Sequence, residues 1–161
     1  MKKIISYFFL YIVFCLLQFF CGKYININGI FPNFILIIIV YLGLSRGVVD
    51  AELMGFLFGL TWDVFSTDIF GLRAVIFTII GYLSGKIYKG FDKDKIISQF
   101  VIVFFANIIY WVCFSLIYFI LSDDRSNSLS IAGLSGSIKI IITVLVAPVV
   151  FYILDRIGRY I

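Results

Sequence analysis

MGFLFGLTWDVFSTDIFGLRAVIFTIIGYLSGK, residues 54–86, is apolar enough for lipid yet holds five glycines, two aspartates and a single arginine. Insertion into lipid penalises a charge near the bilayer centre by about 2.5–3.5 kcal/mol. Asp63 and Arg73 therefore need a structural or functional reason to be there. Gly55 and Gly59 form a GxxxG pair, with Trp62 and Asp63 one turn further on, and Ala74, Thr78, Gly81 and Gly85 recur at i, i+4, i+7 and i+11. On helices, such spacing collects small residues on one face, which lets backbones approach closely where lipid supplies no hydrophobic drive. The stretch reads as two membrane helices packed as a hairpin about a short turn at 66–71.

Composition supports that reading. The 161 residues are 63% hydrophobic and 14% charged, against about 45–50% apolar and about 25% charged in soluble domains. The expected fold class is an all-α integral membrane protein. The net charge of +4 could suggest nucleic acid, but the basic residues sit in short loops between apolar runs, as positive-inside topology requires. No nucleic-acid partner is expected; the solvent is membrane lipid.

Only helices and closed barrels satisfy every backbone group in lipid. Apolar runs near bilayer length place helices at approximately 4–22, 70–88, 97–121 and 133–154. Between the first two of these, helices are expected at about 30–45 and 50–66, but their apolar runs, 31–44 and 53–65, are each shorter than the roughly 20 residues of an ideal span. Arg46, Gly47, Asp50 and Glu52 break them apart. Two short spans joined by a tight cytoplasmic turn is the economical reading; a re-entrant hairpin is the competing one. The first gives a single transmembrane domain over 1–161, a six-helix bundle with both termini on one side. Of the basic residues, nine (Lys2, Lys3, Arg46, Lys86, Lys89, Lys93, Lys95, Arg156 and Arg159) then share the side of the termini. Lys23 and Arg125 fall opposite, with Arg73 and Lys139 just inside helices near that face. Both termini are thus expected in the cytoplasm.

Several chemistries drop out. The chain has no histidine, which removes His-based triads and His-ligated zinc. Cys15, Cys21 and Cys113 lack CxxC spacing and read as small hydrophobes. Gln18-Phe19-Phe20 is too bulky for a lipobox before Cys21. Lys2-Lys3 followed by an apolar run looks like the start of a signal peptide, but no small-x-small cleavage site follows, so a retained helix is expected. The loops at 90–95 and 122–130 are too short for a soluble domain. No enzymatic activity and no cofactor or metal are expected, since one aspartate with one arginine is a thin catalytic set.

The remaining polar residues carry competing readings. A turn at 66–71 brings Asp63 and Arg73 together, either as an ion pair stapling the hairpin or as the lining of a cleft. Lys139 is expected to snorkel outward to the headgroups. Pro148 removes one backbone bond and loosens the last helix. Asn107, Trp111, Ser115 and Tyr118 form a weakly polar stripe, read as interhelical glue.

Gly55-Phe-Leu-Phe-Gly59-Leu-Thr-Trp62-Asp63, then Phe70-Gly71-Leu72-Arg73-Ala74, then Gly81-Tyr82-Leu83-Ser84-Gly85, resembles the signature of the MreD family of rod-shape-determining membrane proteins. The Phe31-Pro32 start of the second helix and the late Pro148 also fit. Val75 departs conservatively from a leucine frequent there. The resemblance implies a non-enzymatic scaffold of bacterial cell elongation in the cytoplasmic membrane. Such a scaffold docks MreC and, through it, works with the RodA glycosyltransferase, its partner transpeptidase and MreB. The motif residues Gly55, Gly59, Trp62, Asp63, Gly71, Arg73, Gly81 and Gly85 are then partner-binding or structural. The fold is also said to resemble the substrate-binding subunits of energy-coupling-factor transporters. That gives an alternative, a vitamin-type transporter subunit with an outer pocket built from Asp63, Arg73, Trp62 and Asn107.

Overall fold

The computed structural model describes residues 2–24, 31–66, 69–87, 95–121 and 134–158. Six helices and no strand occur among them: α1 (Lys2–Tyr24), α2 (Phe34–Arg46), α3 (Val48–Phe65), α4 (Leu72–Ile87), α5 (Ile96–Leu121) and α6 (Leu134–Gly158). The loop at 122–130, most of the loop at 90–95, Asp68, Lys89, Lys93, Arg125 and Arg159 lie outside the described residues. Within α5 and α6, Ile96–Ile117 and Gly136–Arg156 are long and apolar enough to cross a membrane, and only 28% of an apolar 18-residue stretch in each is buried inside the chain. A core helix of a soluble protein would be mostly covered.

At the centre stands α2. Its residues Ile35 to Leu44 are all buried, and it packs against each of the other five helices. An all-round apolar surface suits an all-round covered helix. Its start is closed by side chains. The N–H groups of Phe34 and Ile35 donate to Gln18 Oε1 at 2.7 and 3.3 Å, and Leu36 N–H donates to Asn33 Oδ1 at 3.0 Å. Asn33 N–H in turn donates to Thr143 Oγ1 on α6 at 3.1 Å. These bonds satisfy groups that every helix start leaves open. They also explain why α2 begins at Phe34 and not at the apolar Ile30. Near its other end Tyr41 donates to Asp155 at 2.9 Å, a second tie to α6.

A single residue, Gly47 with φ +98°, joins α2 to α3; that left-handed backbone favours glycine. The closest packing in the fold is between the antiparallel α3 and α4. A methyl group on Gly59 would lie 2.3 Å from Ala74 Cα, one on Gly55 2.6 Å from Phe77 O, one on Gly81 2.6 Å from Ala51 O, and one on Gly85 2.4 Å from Val48 Cα. No side chain of any size fits at these rungs. Gly43 of α2 meets the same ridge, since a methyl there would come 2.6 Å from Ser84 Cβ. Backbone-to-backbone contact multiplies dispersion between surfaces that lipid would otherwise wet equally well.

Candidate functional site

The end of the bundle where α2, α4 and α6 begin gathers most of the buried polar groups. Asp63, in the last turn of α3, has a fully buried side chain, and the Arg73 side chain is 11% exposed. Their ion pair spans 3.3 Å. It is the smaller part of what Asp63 does. Oδ2 accepts from the backbone N–H groups of Arg73 and Ala74 at 3.0 and 3.1 Å. Asp63 is therefore the cap of α4, supplied from a different helix, and its charge lies against the positive end of that helix dipole. Gly71, at φ +87° and with nothing near its absent side chain, turns the chain so that α4 starts under this carboxylate. The motif glycines thus answer two demands, dihedral freedom at Gly71 and closeness at the other four.

The Arg73 guanidinium also donates to Ser66 Oγ at 2.8 Å. It lies 5.3 Å from the ring centre of Phe114 and 6.0 Å from that of Trp62, within reach of cation–π attraction. Trp62 continues into an aromatic row, stacking with Phe19 at 5.5 Å and Phe31 at 6.4 Å.

Arg73 and Trp62 form part of the wall of a cavity of about 460 Å³, completed by Gln18, Asn107, Lys139 and Thr143 among others. Of the four residues expected to build an outer pocket, Asp63 alone does not line it; the carboxylate stands behind Arg73. Lys139 corrects an expectation. Rather than running outward along lipid, it lines this cavity, with Nζ 5.5 Å from the ring centre of Phe31. The aromatic wall offers the ammonium a partner that hydrocarbon does not. The helix-five stripe also changes role. Asn107 Nδ2 donates within its own helix, to Val103 O at 2.9 Å, while Asn107, Trp111 and Ser115 face the cavity. The side chain of Tyr118 lies outside the described set.

Gln18, Asn33 and Thr143 are not singled out by the sequence. Gln18 had a signal, as an uncharged polar residue inside an otherwise apolar run, and it is 1% exposed. Cys15 and Cys21 are buried and Cys113 half-buried, with no disulfide among the described residues. No cluster of metal-ligating side chains occurs among those residues.

A helical chain with two membrane-length apolar helices, a glycine-laddered hairpin and a polar cavity at one end belongs to the class of small helical membrane proteins. A family model for the rod shape-determining protein MreD matches residues 1–157, and the chain belongs to that family. Its role is in rod-shape determination, and the family is one of shape-determining membrane proteins rather than enzymes. No curated protein matches the chain. No solved structure matches it either, which leaves the likeness to energy-coupling-factor subunits without support.

Proposed function

We propose that this protein is a multi-pass scaffold of the bacterial cytoplasmic membrane, with six spans and cytoplasmic termini. In this reading it docks MreC and so helps to position and regulate the peptidoglycan synthases of cell elongation. The observation that carries the reading is the family match over residues 1–157. The packing narrows how docking could work. The small-residue faces of α3 and α4 are turned on each other, so a partner helix cannot use them. What the rigid hairpin offers outward is large and apolar: Leu53, Phe56 and Leu57 on α3, and Val75, Ile79 and Tyr82 on α4. A single transmembrane helix laid on that face would be held by shape and dispersion.

Co-purification in nanodiscs with MreC from the same source is the test. Wild-type protein is expected to retain MreC. The paired change Leu53→Ala/Leu57→Ala is expected to lose most of it while the melting temperature stays close to wild type, since both residues face outward. Failure of the wild-type pair to co-purify would sink the scaffold reading. Orientation is checked separately by C-terminal fusions. Green fluorescent protein is expected to fluoresce and alkaline phosphatase to be inactive, because the basic residues favour a cytoplasmic terminus.

A further inference from the structure

The 460 Å³ cavity has a charge character that the scaffold role does not use. Two cations, Arg73 and Lys139, stand in its wall, and no carboxylate lines it among the described residues. Asp63 offsets one of them from behind. Asn33 and Gly136, also in the wall, mark where α2 and α6 begin, and helix starts add positive potential. Donors are available as well. Ser115 lines the cavity, and Trp111, in the same wall, holds a buried indole N–H with no partner among the described residues. An unmet buried donor typically costs about 1–3 kcal/mol. An anion with several acceptor oxygens answers both the charge and the donors.

The seam between α4 and α5 indicates what carries that anion. A second cavity of about 180 Å³ lies between the same two helices, walled by Ile80, Leu83, Val101, Phe105, Ala106 and Ile109 with two further apolar residues and Ser84. The Ser84 hydroxyl is already spent on Ile80 O at 2.7 Å, so this groove presents only hydrocarbon. One helical turn separates Phe77, in the wall of the cationic cavity, from Ile80 in the groove; another separates Tyr110 from Ala106. A cationic chamber at one bundle end, followed along one seam by an apolar groove from the middle of α4 toward its far end, matches an amphipathic molecule.

We infer that the two cavities together hold one anionic lipid, its phosphate-type headgroup between Arg73 and Lys139 and an acyl chain along the α4–α5 groove. The assignment rests on the membrane-embedded reading but not on MreC, so its test is independent of the co-purification. Both tryptophans of the chain, Trp62 and Trp111, line the cationic cavity, which makes intrinsic fluorescence a direct probe. Full-length protein in detergent would be titrated with dioctanoyl phosphatidylglycerol, dioctanoyl phosphatidylcholine and inorganic phosphate. The anionic lipid is expected to shift the emission saturably and the zwitterionic one to leave it flat. Lys139→Gln is expected to weaken the anionic lipid roughly tenfold, equivalent to about 1.4 kcal/mol, with Lys139→Arg restoring it. Ala106→Leu narrows the groove without touching either cation, and it too is expected to weaken binding. Equal binding of the two lipids overturns the site, as does an unchanged affinity in Lys139→Gln. Inorganic phosphate acting as strongly as the lipid would identify a free anion as the ligand and overturn the lipid assignment.

Discussion

Asp63→Ala is expected to destabilise the protein by about 3–5 kcal/mol, the range for stranding one partner of a buried ion pair. The change leaves Arg73, 9% exposed, without its carboxylate. It also opens two helix N–H groups, those of Arg73 and Ala74, that now donate to Oδ2. The reverse change should be milder. In Arg73→Ala the carboxylate keeps both backbone donors and the positive end of α4. Asp63→Asn separates the two roles, because the amide oxygen can still cap the helix while the charge is gone; it should fall between the wild type and Asp63→Ala. Unfolding in mixed detergent micelles, followed by circular dichroism, gives the series. Double replacement of Asp63 and Arg73 should be less harmful than the sum of the single changes by roughly 1 kcal/mol or more. Strict additivity would mean that the two residues are not coupled.

Gly59→Ala is expected to be nearly as damaging, although it adds a single methyl group. That methyl would sit 2.3 Å from Ala74 Cα and 2.5 Å from Ala74 N. Backbone cannot rotate aside as a side chain can, so α3 and α4 must separate along their length. Overpacking by a methylene commonly costs about 1–3 kcal/mol, and loss of the neighbouring rungs places this case at or above the upper end. Gly59→Leu should leave no folded protein to purify. Gly22→Ala is the control. A methyl there would meet the Phe31 ring at 3.7 Å, ordinary contact distance, and Gly22 lies in the last turn of α1, so the change is expected to be near neutral. Monodispersity and melting temperature distinguish these outcomes. Equal behaviour of Gly22→Ala and Gly59→Ala would mean that α3 and α4 do not pack backbone to backbone.

The six helices were legible because each is a run of apolar residues interrupted by charge or turn chemistry. The small-residue periodicity within 54–86 likewise pointed to the antiparallel pair that the structure contains. The polar end was legible only in part. Proximity of Asp63 and Arg73 followed from the short turn between them, but the capping of α4 did not. Whether a carboxylate meets a guanidinium or the backbone behind it depends on how deeply two helices approach, which spacing alone does not give. Lys139 departs from expectation for a related reason. A lysine near a helix end can reach headgroups or turn inward, and the choice is set by what stands opposite. Here that is Phe31, distant in sequence. Gln18 and Thr143 belong to the same class, since each bonds to the start of α2 from another helix.

The position of α2 has a consequence for biogenesis. It is made before α3, α4, α5 and α6, four of the five helices that come to cover it. A helix with a polar face would have to shield that face from lipid during the wait; α2 carries none between Ile35 and Leu44. In the six-span reading proposed above, it can enter the bilayer as a free rod and be enclosed later. Its 13 residues, about 20 Å of helix, fall short of the roughly 30 Å hydrocarbon thickness. In that reading the lone rod thins the membrane around it until its neighbours arrive. Relief of that deformation would then add to the drive for assembly, and it would act on the shortest of the described helices.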